Sequence, residues 1–321
     1  MRCLLILFLI ISIDTFSQSL EETFASFITA VQNRNDEEVI NKGLILLDYV
    51  EKFKILDDSI LLEKYDTTIY LVMRQVSKSY MSLDSVNQSL HLNLKNKQFV
   101  IERWGDSSYL FAKILLKIAD DHYTLYQYHK ALKIYLSVKS IFFNTIGEYH
   151  PHYIYNLTDI ARSYSKIGNY SKAIEFHLQA LSIIDRIEGK EHPDYSTTLW
   201  NVAQVYAYLG DYNKALELGL EALKITEKIF GKEHPDYALT LGNVASVYSY
   251  LGDYNKALEF NLETLKIREK IFGKEHPHYA LTLGNMVRIY FNLGRYNKAL
   301  KFELSSYNIL KTSFLLQFLY I

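Results

Sequence analysis

The chain has 321 residues, with 35 Lys and Arg against 36 Asp and Glu, a formal net charge of −1 and one cysteine. That length leaves room for one large domain or two ordinary ones. The near-neutral balance gives no electrostatic case for nucleic acid or an anionic membrane surface as partner, and a single cysteine excludes a disulfide framework.

At the N-terminus, Met1-Arg2 is a short positive start and Cys3 to Ser12 is an apolar run. A membrane span needs about 20 such residues, so the run is too short. Thr15-Phe16-Ser17 and Ser17-Gln18-Ser19 are small-x-small cleavage patterns. Together these read as a secretory signal peptide over residues 1–18; the alternatives are an uncleaved anchor and a buried first helix. Cys3 lies too near the start for a lipoprotein cleavage site, which comes after the apolar run. Cleavage would remove Cys3, and with it any thiol nucleophile. The expectation is an exported chain, periplasmic or extracellular. Frequent Ile, Lys, Asn and Tyr fit a bacterial source with an AT-rich genome.

Residues 20–55 read as two helices broken near Asn33-Arg34-Asn35-Asp36. In residues 57–104, Ile69, Val72, Met73 and Val76 recur at helical spacing. Residues 19–108 are therefore expected to be divergent helical hairpins that cap a repeat array, since terminal repeats are atypical.

A 42-residue period fills the rest of the chain. His-Pro recurs at His150-Pro151, His192-Pro193, His234-Pro235 and His276-Pro277, and these are all four prolines. Gly168, Gly210, Gly252 and Gly294 keep the spacing, as do Ala173, Ala215, Ala257 and Ala299. The period defines units 151–192, 193–234, 235–276 and 277–318, and 109–150 is a degenerate fifth in which Tyr126 replaces the turn glycine. Pro193 suits a first helical turn, because its missing N–H is one that turn leaves unpaired. Leu199, Val202, Ala203 and Tyr206 then recur at helical spacing. Gly210 ends that helix, and Asp211 caps the next. The second helix carries Ala215, Leu216, Leu220, Leu223, Ile225 and Ile229 to Gly231. Small Ala161, Ala203 and Ala245 face small Ala173, Ala215 and Ala257, so the two backbones can approach closely. The abundant tyrosines, at Tyr153, Tyr164 and Tyr170 and their repeats, read as packing residues with one polar tip.

The residues Leu199, Asn201, Ala203, Tyr206, Leu209-Gly210, Tyr212, Ala215, Ala222-Leu223 and Gly231-Lys232-Glu233-His234-Pro235 resemble the tetratricopeptide repeat. The likeness is to its 42-residue variety, as in kinesin light chains and many bacterial proteins. It covers roughly residues 109–310. The resemblance implies an all-α fold, an α-solenoid of antiparallel helical hairpins forming a right-handed superhelix with a concave peptide-binding groove.

No catalytic constellation is legible. Six of the ten histidines sit in or beside the His-Pro turns. Successive turns are displaced by whole hairpins, so they cannot converge on a metal at bond lengths of about 2.1 Å. Gly231-Lys232 lacks the upstream glycine and the strand of a phosphate loop. No metal, no cofactor and no enzymatic activity are expected.

Units 193–234 and 235–276 agree at 33 of 42 positions. The differences lie at 196, 197, 200, 204 and 207 on the first helix and at 218, 219, 222 and 226 on the second, each set within an arc of about 100° at helical pitch. Drift at exposed positions is one account of the second stripe. In the resembled family, the first stripe lines the groove. The groove candidates are Tyr155, Thr158, Asp159 and Arg162 from the first of the four units, then Thr197, Trp200, Asn201 and Gln204. Leu239, Asn243 and Ser246 come from the third, and Leu281, Asn285, Arg288 and Phe291 from the fourth. The ladder Asp159, Asn201, Asn243, Asn285 suits the backbone of an extended peptide, or alternatively bonds the neighbouring hairpin. Trp200 is a candidate aromatic anchor.

The chain ends on an apolar run, Phe314 to Ile321, within residues 311–321. It folds back over the last hairpin, pairs with another copy, or begins a further segment. The functional expectation is a non-catalytic scaffold that binds a peptide or partner protein. The runner-up is the sensor portion of a larger signalling or caspase-like protease protein whose effector domain lies elsewhere.

Overall fold

The computed structural model describes residues 22–55 and 59–319, with side chains described for 22–49 and 66–313. The expected signal peptide lies outside the described residues. Within them the chain is all-α, with no strand. The helices are α1 (22–32), α2 (Asp36–Ile55), α3 (Ser59–Ser82), α4 (Val86–Trp104), α5 (Tyr109–Thr124), α6 (Tyr128–Thr145) and α7 (Pro151–Ile167). They continue as α8 (Tyr170–Ile187), α9 (Pro193–Tyr208), α10 (Tyr212–Phe230), α11 (Pro235–Tyr250), α12 (Tyr254–Phe272), α13 (Pro277–Asn292) and α14 (Tyr296–Leu319). Contacts run chiefly between helices adjacent in sequence, as for α2 on α3, α5 on α6, α9 on α10 and α13 on α14, the stacked-hairpin arrangement of an α-solenoid. None of the described helices is long and apolar enough to cross a membrane. The helices divide into two compact units, one through Asn156 and one from Leu157.

The His-Pro marks set where helices begin. His192 is the N-cap of α9: its Nδ1 accepts from the Asp194 backbone N–H at 3.2 Å, with Pro193 in the first turn. His234 does the same for α11 through Asp236, and its ring stacks on Phe230 at 4.3 Å. At the opposite turn, Asp211 accepts from the Lys214 N–H at 3.0 Å and so caps α10. Gly210, at φ +83°, makes the reversal between the two helices.

In the first unit, Phe27, Ala30, Val39, Leu46, Val72, Val76 and Leu92 form an apolar core across α1 to α4. Beyond it the interior turns polar. Ser89 donates to Asp121 Oδ1 at 2.8 Å, Asn93 donates to its Oδ2 at 2.7 Å, and Ser77 lies 2.9 Å from Ser89. Burial pushes the Asp121 carboxyl up to about 6, against the pull of the Asn93 and Ser89 hydrogen bonds.

In the second unit the alanines expected to bring helices together are fully buried: Ala161, Ala173, Ala203, Ala215, Ala245 and Ala257. Two expectations need correction. Leu220 does not carry the core; it is exposed, as are its repeat counterparts Leu178, Leu262 and Leu304. The variable stripe of the second helix is not a drifting surface either. Gly219, Ala222 and Thr226 are buried in α10, and Asn261, Thr264 and Arg268 are buried in α12. Its substitutions are compensated inside the stack. Ser196 donates to the Ala222 carbonyl at 2.9 Å and lies 2.7 Å from Thr226 Oγ1. One unit on, Ala238 replaces Ser196 and Arg268 replaces Thr226. Arg268 reaches instead to the His278 carbonyl at 2.7 Å and to Thr282 Oγ1 at 2.9 Å on α13. Thr226 Oγ1 also donates to the Ala222 carbonyl, at 2.8 Å, so the two hydroxyls share one acceptor within their hairpin, whereas Arg268 bonds across to the next one.

Tyr126 holds the turn between α5 and α6 at φ +60° with its side chain exposed. An L-residue in that region costs roughly 1–2 kcal/mol, and the other units place glycine there. Tyr126→Gly is expected to stabilise the protein by about 1 kcal/mol, read as a rise in the midpoint of thermal or urea unfolding.

Candidate partner-binding face

The first helices α9, α11 and α13 begin at equivalent caps, so equivalent residues fall at the same height on each. α11 also touches α13 directly, which sets first helices of successive hairpins side by side. The candidates sort by what the fold does with them. Thr197, Gln204, Leu239 and Leu281 are exposed, and Asn201, Asn243, Ser246 and Asn285 are half-buried. Tyr155, in the first unit, is exposed. Thr158 and Asp159 are half-buried, and Arg162 is ion-paired with Asp159 at 3.0 Å.

Among the described residues, no hydrogen bond engages the side chains of Asn201, Asn243 or Asn285. Of the two accounts of the ladder, bonding to the neighbouring hairpin is therefore not what these three do. Each presents an amide donor and acceptor at the edge of a helix face, at a 42-residue interval. The face between them carries no lysine. Arg288 is held down by the Tyr250 side chain, donating to its hydroxyl at 3.0 Å with the guanidinium 4.7 Å from the ring centre. Tyr250 in turn stacks on Tyr212 at 5.4 Å. Phe291 meets the Tyr296 ring edge-on at 5.3 Å. The Ser246 hydroxyl donates to the Gly242 carbonyl, one turn back, at 3.2 Å.

Trp200 is half-buried. Its ring lies over Gly219, where an added Cβ would sit 3.1 Å from a ring atom and 3.3 Å from Val244. It packs against the cluster of Leu223, Tyr237, Leu241 and Val244. In the next unit the bulk has crossed over: Gly242 stands for Trp200, and buried Asn261 and Thr264 stand for Gly219 and Ala222. Such exchange of volume across a packed interface keeps a core full. Trp200 is thus a packing residue with one exposed edge. Trp200→Ala is expected to cost about 2 kcal/mol, below the range for a fully buried tryptophan, measured by equilibrium unfolding. A neutral result would show the ring unpacked.

One residue beneath the face was not singled out from the sequence. His177, at the position of Gly219 and Asn261, is buried, and its Nδ1 has no hydrogen-bond partner among the described residues. Burial, reinforced by the Arg162 charge, lowers its pKa from 6.5 to about 4. The signal available was its membership of the variable second-helix stripe. Because the folded state resists the proton that the unfolded chain accepts, the His177 contribution is complete above pH 6.5 and declines as pH falls toward 4. Urea unfolding of His177→Asn should lose less stability between pH 7 and pH 4.5 than the parent does; equal losses would remove His177 as the cause.

Comparison with known proteins fits this geometry. The tetratricopeptide repeat family pattern matches residues 110–186, 160–228, 194–270 and 237–312, well over half of the chain. The chain belongs to the tetratricopeptide repeat family. No curated protein matches it. Among solved structures, a putative kinesin light chain of Podosopora anserina with nearly identical TPR-like repeats is similar. It is 22% identical with a TM-score of 0.55, and the match covers 63% of this chain and 95% of that one. BtubC (BKLC) from P. vanneervenii is 19% identical with a TM-score of 0.57, over 70% of this chain and 90% of that one. A Rap protein complexed with competence and sporulation factor is 15% identical with a TM-score of 0.54, over 89% of this chain and 73% of that one. At these identities the likeness is one of fold.

Proposed function

We propose that the chain is a non-catalytic scaffold that binds an extended peptide segment of a partner protein along the first-helix face of α9, α11 and α13. The carrying observation is the ladder Asn201, Asn243 and Asn285, half-exposed and without a side-chain hydrogen bond among the described residues. Each side-chain amide offers a donor and an acceptor, the pair that an extended backbone needs. Exposed Leu239 and Leu281 beside them supply apolar contact. With no lysine on the face and Arg288 engaged by Tyr250, the ligand is recognised by its backbone and apolar side chains, not by a terminal carboxylate. The repeat is of the 42-residue kinesin-light-chain-like kind. The protein acts after export, a reading that rests on the signal-peptide pattern of residues 1–18.

The test is capture of partners from the exported fraction of the source cells. Asn201→Ala, Asn243→Ala and Asn285→Ala remove half-exposed groups that bond none of the described residues, so stability should change by less than about 0.5 kcal/mol. Combined, they are expected to abolish capture while the helical circular-dichroism signal is kept. A triple variant that captures the same partners as the parent would overturn the groove assignment.

A further inference from the structure

The last helix presents an open stacking face. In α12, Leu258 and Leu265 are covered by α13, packed against Met286 and Tyr290. Asn261 is fully buried there, and Arg268 is buried with both its partners on α13. The equivalent positions of α14 are Leu300, Tyr307, Glu303 and Leu310. Leu300 is 59% exposed, Tyr307 57% and Leu310 41%. Two features set this face apart from the internal one. Leu310 stands where Arg268, one unit earlier, reaches across to its own neighbour. Leu300 and Tyr307 remain apolar although nothing among the described residues covers them. Apolar side chains clustered on one helix face mark an association surface rather than scattered exposure.

We infer that α14 pairs antiparallel with α14 of a second copy of this chain. The charge pattern points to that occupant. Glu303 sits at the centre of the apolar face, and covering a carboxylate is costly unless a cation meets it. Of the lysines in the described part of α14, Lys298 lies over Tyr290 at 5.5 Å and Lys301 falls on the far side of the helix by its 100° per residue spacing. Lys311 alone borders the face, and its Nζ lies 6.0 Å from the Tyr307 ring. Two copies laid antiparallel about Tyr307 bring Glu303 level with Lys311 of the second copy, twice by symmetry. The same register sets Leu304 level with Leu310 of the second copy and Tyr307 against its counterpart. An interface of this kind is isologous, the same patch contributed by both partners. It leaves the first-helix faces of α9, α11 and α13 outside the contact, so it does not depend on the peptide-binding proposal.

Sedimentation velocity of the purified protein over a concentration series tests the pairing. The expected species is a dimer of twice the chain mass. Leu300→Glu, at a position too exposed to matter for folding, should raise the dissociation constant at least about tenfold, as burying an unpaired charge does. Glu303→Lys and Lys311→Glu should each weaken the dimer, and the double exchange Glu303→Lys with Lys311→Glu should restore it. Restoration distinguishes a symmetric reciprocal pair from non-specific adhesion. A monomer at every concentration, leaving the face to another protein or a further segment, overturns the proposal. So does a dimer indifferent to Leu300→Glu, or one that the double exchange fails to rescue.

Discussion

Everything in the repeat array depends on backbones approaching closely at small residues. Ala161, Ala203 and Ala245 on first helices and Ala173, Ala215 and Ala257 on second helices are completely buried. A larger side chain at any of them would separate the pair, and interior packing transmits such strain instead of absorbing it. Once those contacts are fixed, so are the caps. The helix starts at His192 and His234 and the reversal at Gly210 must fall at fixed offsets from the alanines. The period is therefore a packing requirement before it is anything else.

That requirement also explains where the copies are free to differ. The first-helix positions 197 and 204 face solvent and can vary without cost to the stack. The second-helix positions 219, 222 and 226 are buried, and between these two units they differ together with residues packed near them. Trp200 over Gly219 becomes Gly242 beside Asn261 and Thr264, and Ser196 with Thr226 becomes Ala238 with Arg268. Variation between these repeats thus has two distinct settings, an exposed first-helix surface and a set of interior contacts that make the two hairpin interfaces unlike.

The fold was legible because its determinants are local and repeated. Pro193, Gly210, Asp211 and Gly231 each act within a few residues of themselves, and the structure uses them as the spacing indicates. The histidine N-caps were not legible as caps, since histidine is outside the usual capping set and its role depends on ring orientation. The second-helix stripe misled because periodicity identifies a face and not what covers it. Trp200 was ambiguous for the same reason: only the absent side chain of Gly219, across the hairpin, gives it a seat. The asparagine ladder could be located by spacing, but whether those amides bond one another's hairpins is a question of distances.

On the proposed function, a partner meets the first-helix face and not the equally regular leucine ladder on the second helices. Photo-crosslinking resolves it most directly, with a benzophenone side chain placed in turn at position 204 and at position 220, both exposed. Covalent capture of partner is predicted from position 204 and none from position 220. Capture from 220 with silence at 204 would contradict the claim.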